Sequence, residues 1–516
     1  MILFSAVTWI VNAAAVFGGG WGDVSRRAGE AGCSRQTIYQ HAEKVQEALL
    51  RPTREEFERL RGEKEQLQLE NQPLWDWLAQ TVEFPRSRQA EFSATAAAMG
   101  LSLTQTFCLL AVVMGCLAAP SRSSIGRWVA AACQKAANVL RVLDQACCPL
   151  VAALCLDEIF FRRQPVLVGV EPASMAWVIG HRAQDRSGQT WLDALRPWEH
   201  LESAIADGGT GLQSGLKQLN ERRASQPGAP LVEVALDVFH TQQEALPLLI
   251  RNWKSAETLW ETAAAADRGV ARCQTRGQDA RAASNKARAA WDKAESAFHQ
   301  AQSLDDVWQR ASAALSVFRA DGSLNDRSTA AADLAAVVEQ LPGEAWAKVR
   351  RMLTDDRTLT FLDRMHRQLA DPAVDPAVDP ALQAELGRLY WLRRQQRSNA
   401  ADPVLLVRVQ VQTLLCQRLS PSWIESYRQV ARVLRAVVRA SSLVECMNSV
   451  IRMHQSRHRQ LSQPLLDLKR LYWNCRPFRE GHRRGRSPYA HLGLKLPTNN
   501  WWTLLNSDPA DLPKKL

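Results

Sequence analysis

The pattern of hydrophobic and polar positions changes near Pro149, and the change separates regions of different expected structure. Residues 151–161 form a nearly continuous apolar run, VAALCLDEIFF, with the length of a buried strand. Shorter runs of similar texture lie at 166–170, 175–179, 204–207 and 231–238. A helical pattern at 190–195 precedes the fourth run, so we predict three strands, a helix, a strand, a helix and a fifth strand.

The first 50 residues predict a small helical DNA-binding domain. Helical patterns cover 5–16, 21–31 and 34–50, with a tight Gly-Cys turn before the third and Ser34 as its N-cap. The third helix carries polar side chains that could lie along a major groove, which are Arg35, Gln36, Thr37 and Tyr39. This layout is typical of a helix-turn-helix domain, and the alternative is a plain helical hairpin.

Residues 51–148 predict a linker helix and a second helix-turn-helix-like domain. In 51–84 the leucines Leu60, Leu67 and Leu74 recur every seven residues, which is typical of a short coiled coil but equally of a surface helix. In 85–148 helical patterns cover 103–113 and 123–137, and the second pattern carries Arg127. The domain at 149–240 then contains the predicted strands.

Beyond the fifth strand the sequence predicts helices. Residues 241–440 predict an all-helical domain, in which the Asp-Pro-Ala-Val repeat at 371–380 is a loop because each proline stops a helix. Its tryptophans could stack on DNA bases, although a helical tryptophan is more often core; they include Trp253, Trp260, Trp291, Trp308 and Trp346. A further helix begins at Ser442 and opens a segment, 441–495, that precedes a short tail at 496–516.

Composition and charge indicate the kind of partner that the chain binds. The chain has 516 residues and a net charge of +11, and residues 451–495 contain eleven Lys and Arg against two acids. This balance favours a polyanion partner, and nucleic acid is the usual one. Eleven scattered cysteines without a CxxC pair are typical of a reducing cytoplasm, and the apolar start lacks the positive charges of a signal peptide.

Three acidic residues occupy positions that suit metal-dependent phosphodiester chemistry. Asp157 lies inside the first strand, where an unpaired carboxylate is costly to bury, and Asp207 ends the fourth strand before Gly208. Glu445 lies on the late helix, on one face with Asn448 and Arg452. Each carboxylate also has a structural explanation, as a capping residue, a salt-bridge partner or part of a common Asp-Gly-Gly turn.

Three segments resemble the DDE transposases with a ribonuclease-H-like core, especially bacterial insertion-sequence and Mutator-like enzymes. They are LDEIFF around Asp157, ADGGTGLQSGL around Asp207 and SSLVECMNSVIR around Glu445. The resemblance implies a mixed five-stranded sheet with helices, interrupted by the all-helical insertion and preceded by the helix-turn-helix domains. It also implies that these three carboxylates hold two Mg²⁺ or Mn²⁺ ions.

The resemblance leaves one ligand open and assigns further residues. Asp207 and Glu445 are 238 positions apart, which the insertion would explain, and Asp237 is the rival for the second carboxylate. LDVFH at 236–240 resembles a family motif that would place His240 near the active site, and Asn448 is expected there too. The basic residues expected to bind DNA phosphates in the C-terminal segment are Arg452, Arg457, Arg459, Arg483, Arg484 and Arg486.

The function that follows is DNA cleavage and strand transfer by a mobile-element transposase. Its partners would be double-stranded DNA, as terminal inverted repeats and target, and further copies of the chain in a dimer or larger complex. We expect a bacterial, nucleoid-associated cytoplasmic protein without a membrane segment. The alternatives are a DNA-binding regulator with an inactive ribonuclease-H-like domain, and a metal-dependent nuclease or resolvase.

Overall fold

The chain contains two compact units, 1–86 and 87–516. A computed structural model describes residues 5–50, 54–79, 84–226, 228–371, 379–455 and 461–516. The helices of the first unit are α1 (Ala6–Phe17), α2 (Asp23–Glu30), α3 (Arg35–Leu50) and α4 (Arg54–Ala79). Helices α1, α2 and α3 pack on one another, and α4 is a single long helix that carries the three regularly spaced leucines.

The three-helix arrangement is fixed by the turn before α3 and by buried polar contacts. Gly32 adopts a φ of +63°, which a residue with a side chain rarely tolerates. Ser34 Oγ accepts a hydrogen bond from the backbone N–H of Thr37 at 3.1 Å and so caps α3. Asn12 on α1 contacts His41 on α3 at 2.9 Å, which joins the first helix to the third.

The second unit begins with three helices, α5 (Arg86–Ala98), α6 (Leu103–Met114) and α7 (Arg122–Cys147). Helix α7 continues ten residues past the predicted end at 137. Its later apolar positions, which include Val139, Leu140 and Leu143, are buried in the core beneath the sheet. This burial explains the extension, because packing of an apolar face stabilises a helix more than local propensity does.

A five-stranded mixed sheet follows; the hydrophobic pattern predicts its five strands, and the resemblance implies their mixed sheet. The elements are β1 (Ala153–Phe161), β2 (Gln164–Glu171), β3 (Ala176–Arg182), α8 (Gly188–Leu195), β4 (Ser203–Ala206), α9 (Thr210–Ala224) and β5 (Glu233–Leu236). The strand order is β3-β2-β1-β4-β5. Strands β1, β2 and β3 pair antiparallel, whereas β4 pairs parallel with both β1 and β5.

Strand β1 is buried on both faces, which explains its continuous apolar run. Leu154 and Leu156 belong to the core formed with α7, α8 and α9. Cys155 and Ile159 point to the opposite face, because side chains alternate along a strand. Asp157 has the same parity as Cys155 and Ile159, so its carboxylate also points to that opposite face.

A long helical segment follows β5. Its helices are α10 (Val238–Thr275), α11 (Arg281–Ala314), α12 (Arg327–Gln340), α13 (Ala347–Leu353), α14 (Thr360–Leu369), α15 (Pro380–Ser398), α16 (Pro403–Leu419) and α17 (Trp423–Ala436). They share a hydrophobic core of their own. The proline-rich repeat lies mostly outside the described residues. The two ends of the segment meet, since the Val238 N–H donates to the Arg439 carbonyl at 3.2 Å.

The chain ends with helices that return to the sheet. They are α18 (Ser442–Gln455), α19 (Gln463–Cys475), α20 (Pro488–Leu492) and α21 (Trp501–Leu505). Val444, Met447 and Ile451 of α18 pack on the Asp157 face of the sheet, whereas Leu468 and Leu471 of α19 join the core on the other face. Within the described part of the chain, no helix is long and apolar enough to cross a membrane.

Candidate metal centre

Asp157 is a nearly buried carboxylate at the centre of β1. Only 5% of the residue is exposed. Its Oδ1 accepts a hydrogen bond from the Glu158 N–H at 2.7 Å, and its Oδ2 accepts one from Asn448 Nδ2 at 2.6 Å. Burial raises the pKa of Asp157 to about 6, and the charges of Asp207 and Glu445 act in the same direction. A cation bound beside Asp157 would therefore favour the ionised form of its carboxylate.

Helix α18 brings Glu445 and Asn448 over this strand. Val444, Met447 and Ile451 are fully buried against the sheet, which fixes the rotation of the helix. Glu445 then lies at the edge of the packed face, with 19% of its side chain exposed, and Arg452 donates to it at 3.1 Å. Asn448 is completely buried, and its Oδ1 accepts no hydrogen bond from the described residues. A buried acceptor without a donor is costly, so this oxygen suits a ligand or an ordered water.

His240 completes the cluster from the first turn of α10. One potential ligand atom from each of Asp157, His240 and Glu445 lies within 4.8 Å of the others. His240 Nδ1 contacts Asp237 at 2.5 Å. Burial favours the neutral imidazole, but the bond and charge of Asp237, with the charges of Asp157 and Asp207, raise the pKa of His240 to about 9. The ring is thus oriented by a carboxylate, as metal-binding histidines usually are.

Asp237 has a structural role that occupies both of its oxygens. It is fully buried at the N-terminus of α10, where Oδ1 accepts from the N–H groups of Phe239 at 2.8 Å and Ser441 at 2.9 Å. Oδ2 contacts His240 and accepts from the Ser441 hydroxyl. These four contacts use the acceptor sites of a carboxylate and hold the pKa of Asp237 below its usual value despite its burial. This geometry favours Asp207 over Asp237 as a further metal ligand.

Asp207 lies beside the cluster, just after β4. Its Oδ1 accepts from the Gly209 N–H at 3.0 Å, which shapes the turn into α9, and Gln213 Nε2 donates to its backbone carbonyl at 2.5 Å. Asp207 and His240 line the same cavity of about 400 Å³, and the cavity also contains Lys348 and Arg351. Asp207 is outside the set of three that meets within 4.8 Å.

The donor set fits a divalent cation. Two carboxylates and one imidazole are ordinary ligands of Mn²⁺ or Zn²⁺, and carboxylates alone suit Mg²⁺. Because Nδ1 of His240 is used by Asp237, Nε2 is its remaining nitrogen for a ligand. Asp157, His240 and Glu445 could therefore bind a metal ion. The unpaired Asn448 Oδ1 is well placed to accept from a water in the same buried site.

Sequence reasoning missed several contributors to this site, among them Ser441 and Arg357. Ser441 binds Asp237 through both its backbone and its hydroxyl, and it precedes α18 directly. Arg357, from the short turn Asp356–Leu359, contacts Gln213 and lines the Asp207 cavity. A serine before a helix is a recognisable capping signal, but nothing in the sequence pairs it with a residue 204 positions earlier.

The structure distributes the residues expected to bind DNA over several environments. Among the helix-turn-helix residues, Arg35, Gln36 and Tyr39 are exposed and Thr37 is half-buried beside the buried Ile38. Arg127 is exposed on α7, and its guanidinium donates to Ser124 at 3.2 Å. This exposure leaves Arg35, Gln36, Tyr39 and Arg127 accessible to a polyanion.

The C-terminal basic residues are less uniformly available. Arg457 and Arg459 lie outside the described residues, and Arg484 is exposed. Arg483 donates to the carbonyls of Pro172 and Ala173, and Arg486 donates to the carbonyl of Ala490. Two other cations of the segment, Lys469 and Arg470, are buried; Arg470 forms a 2.7 Å ion pair with Asp144. The positive charge of this segment is therefore only partly a surface feature.

The tryptophans of the helical segment divide between core and surface. Trp308 and Trp346 are buried in its hydrophobic core. Trp260 is 46% exposed and makes an edge contact with Trp291 at 4.9 Å between ring centroids. Trp253 makes a similar contact with Phe298 at 5.5 Å, so these rings join α10 to α11.

Comparisons with known protein families, with curated proteins and with solved structures find no match to this chain. The function is therefore inferred from the arrangement of these residues and from the fold that carries them.

Proposed function

We propose that the chain is a DNA transposase that cleaves and joins strands at a metal centre formed by Asp157, Asp207 and Glu445. The observation that carries the proposal is the meeting of Asp157 and Glu445, which are 288 positions apart in the sequence. They lie on the first strand and on a late helix, and Asp207 follows the fourth strand. This is the placement that the resemblance to ribonuclease-H-like DDE enzymes implies.

The helical segment supports the same proposal. A DDE enzyme with an insertion needs its interrupted core to close again, so that the late helix reaches the first strand. Here Asp237 binds Ser441, and Val238 binds Arg439, which brings the two ends of α10–α17 together. The segment between them has its own hydrophobic core, as a separate inserted domain requires.

The protein residues have distinct roles in the proposed reaction. Two divalent ions bound here would activate the attacking oxygen and stabilise the leaving oxygen of the phosphodiester. Asn448 holds the Asp157 carboxylate in position, and Asp237 orients the His240 ring beside it. Arg452, exposed beyond Glu445, is available to a phosphate of the bound strand once Glu445 engages a cation.

The test is strand cleavage and joining, with Mg²⁺ or Mn²⁺, on duplexes that carry any inverted repeats identified in the DNA on either side of the coding region. We expect Glu445→Gln to reduce both reactions at least 1000-fold and to bind DNA normally. The matched control is Glu257→Gln, an exposed glutamate on α10, which should keep parental activity. Full activity of Glu445→Gln with metal present would overturn the proposal.

The same assay separates the two alternatives. Efficient cutting without any joined product would indicate a nuclease or resolvase. Normal DNA affinity without cutting by the parent protein, at any metal concentration, would indicate a regulator with an inactive core.

A second pair of variants distinguishes Asp207 from Asp237. We expect Asp207→Asn to lose activity while its melting temperature stays near the parental value. Asp237→Asn should instead lower the free energy of unfolding by about 2–4 kcal/mol, because it disrupts a buried hydrogen-bond network. Loss of metal-dependent activity only in a stably folded Asp237→Asn protein would reverse the assignment.

A further inference from the structure

An arginine-lined groove lies between the sheet and the helices that precede α18. It consists of two neighbouring cavities of about 650 and 680 Å³, which share Tyr427, Arg435 and His482. Eight arginines line them together: Arg364, Arg393, Arg394, Arg397, Arg428, Arg432, Arg435 and Arg483. We call this surface the arginine groove. Its only lining carboxylate among the described residues is Glu171.

Little negative charge compensates these guanidinium groups. The oxygens of Glu171 accept from the backbone N–H groups of Ala173 and Ser174 and from the Ser174 hydroxyl. Arg483 donates to neutral carbonyls, and Arg364 donates to the hydroxyl of Ser203. Glu202 and Glu233 lie near Arg364 and Glu171 lies near Arg483, so the charges of these two arginines are partly offset. The positive potential of the groove therefore comes mainly from the arginines of α15 and α17.

The rim of the groove carries arginines that are free of ion pairs. On α15 these are Arg394 and Arg397, and on α17 they are Arg432 and Arg435; all four are exposed and form no salt bridge within the described chain. Of the rim arginines in the described part of the chain, Arg428 alone has a carboxylate partner, Glu425, at 3.0 Å. Like charges packed this closely repel one another, and an anion in the groove would relieve the repulsion.

The spacing and chemistry indicate a polymeric phosphate. Arg428, Arg432 and Arg435 follow one face of α17 over about 10 Å at 1.5 Å per residue, which is roughly three base-pair steps of duplex DNA. Among the described residues the lining contains no lysine, and arginine is the residue suited to bidentate binding of phosphate oxygens. Arg393 stacks against Tyr427 at 4.5 Å, which holds the two helices and their arginines in register.

The groove is separate from the metal centre. It is lined by Ala152 and Ala153 at the start of β1, whereas Asp157 lies four residues further along the strand, about 13 Å away. Arg364 reaches Ser203 at the start of β4, whereas Asp207 follows the end of that strand. The groove therefore lies at the opposite end of the parallel strands from Asp207.

We propose that the arginine groove binds the phosphate backbone of duplex DNA, at a distance from the site of cleavage and without reading its sequence. The choice of DNA as the polyanion rests on the proposed function, while the phosphate chemistry does not. A DNA segment in this groove would add affinity that depends on salt, because each phosphate contact releases counterions.

The test compares duplex binding by the full chain and two variants. Arg432→Gln/Arg435→Gln removes two rim charges, and Arg268→Gln/Arg272→Gln removes two exposed charges on α10 as the matched control. Binding to a 30-base-pair duplex of arbitrary sequence is measured over a salt series in EDTA, so that no cleavage contributes. Melting temperatures of all three proteins show that the variants fold.

We expect the groove variant to bind at least tenfold more weakly near 0.15 M salt, and its log Kobs against log salt to be shallower by about 2. The control should match the parent in both quantities. Parental affinity and slope for the duplex in the groove variant would overturn the proposal. Because no metal is present, this result is independent of whether Glu445 is needed for catalysis.

Discussion

At the scale of single residues, the site depends on which carboxylates are free and which are already used. Asp157 accepts two hydrogen bonds, from the Glu158 N–H and from Asn448, and burial raises its pKa to about 6, so it gains most from a cation. Asp237 is buried more deeply but is saturated by His240 and Ser441. Burial alone therefore does not identify a metal ligand; the number of hydrogen bonds that the carboxylate already accepts decides.

His240 gives a prediction about pH and stability. Its pKa is raised from 6.5 to about 9, so its contribution to folding is complete below pH 6.5 and is lost as the pH rises through 9. A shift of this size corresponds to roughly 3 kcal/mol. We expect the free energy of unfolding of the parent, relative to His240→Gln, to fall by that order between pH 6.5 and 9. Denaturant titrations in EDTA at several pH values measure this difference.

Comparison with a variant is needed because another group titrates in the same window. Burial lowers the pKa of Lys469 to about 7, so its unfavourable contribution diminishes as the pH rises from 7 to 10. The parent and His240→Gln share this effect, which cancels in their difference. A constant difference between parent and His240→Gln across the window would contradict the prediction.

At the scale of helices and strands, the positions of the strands could be predicted from the sequence. The residues far along the chain that contact them could not. Buried strands are short continuous apolar runs, so the five strands could be located from hydrophobicity alone, and Asp157 was conspicuous within the first. The contact of Asn448 with Asp157 joins residues 291 positions apart, and no local pattern encodes it. The end of α7 was missed for a related reason, since its last turns are stabilised by a core that only the folded chain forms.

The turn that carries Asp207 gives a prediction at this scale. A side chain on Gly211 would place its Cβ 1.7 Å from the carbonyl oxygen of Arg186, so α9 must move away for any other residue to fit. We expect Gly211→Ala to lower the free energy of unfolding by about 3 kcal/mol and to displace the Asp207 turn. Gly208→Ala is the control, because nothing lies within 4 Å of its added Cβ. Urea titration measures the free energy of unfolding of the two variants, and equal values for Gly211→Ala and Gly208→Ala would refute the close packing of α9.

At the scale of the whole molecule, the positively charged surface does not coincide with the most basic segment of the sequence. The sequence concentrates basic residues in 451–495, yet Lys469 and Arg470 of that segment are buried. The arginine groove instead collects side chains from α14, α15, α17 and the loop after α19. A linear count of charges could predict a polyanion partner but not this surface, because it forms only when four separate segments pack together.

The division into two units gives a prediction for the whole chain. The carboxylates and His240 all belong to residues 87–516, whereas the exposed Arg35, Gln36 and Tyr39 belong to 1–86. We expect a protein that consists of residues 87–516 to melt within about 2 °C of the corresponding transition of the full chain, because each unit has its own packed helices or core. Calorimetry of both proteins measures these transitions.

The same pair of proteins tests where sequence is read. Under the proposed function, selection from a pool of randomised duplexes should recover a preferred sequence with the full chain and a weaker preference with residues 87–516. Residues 87–516 should keep the metal-dependent nicking that we propose for the full chain. A specific site is typically bound at least 10³-fold more tightly than random DNA, so the loss should be large. An Arg35→Ala/Gln36→Ala variant of the full chain removes two exposed side chains without shortening the protein and should show the same loss. An unchanged sequence preference in residues 87–516 and in the Arg35→Ala/Gln36→Ala variant would place sequence recognition in the second unit. Its helix α7 carries the exposed Arg127.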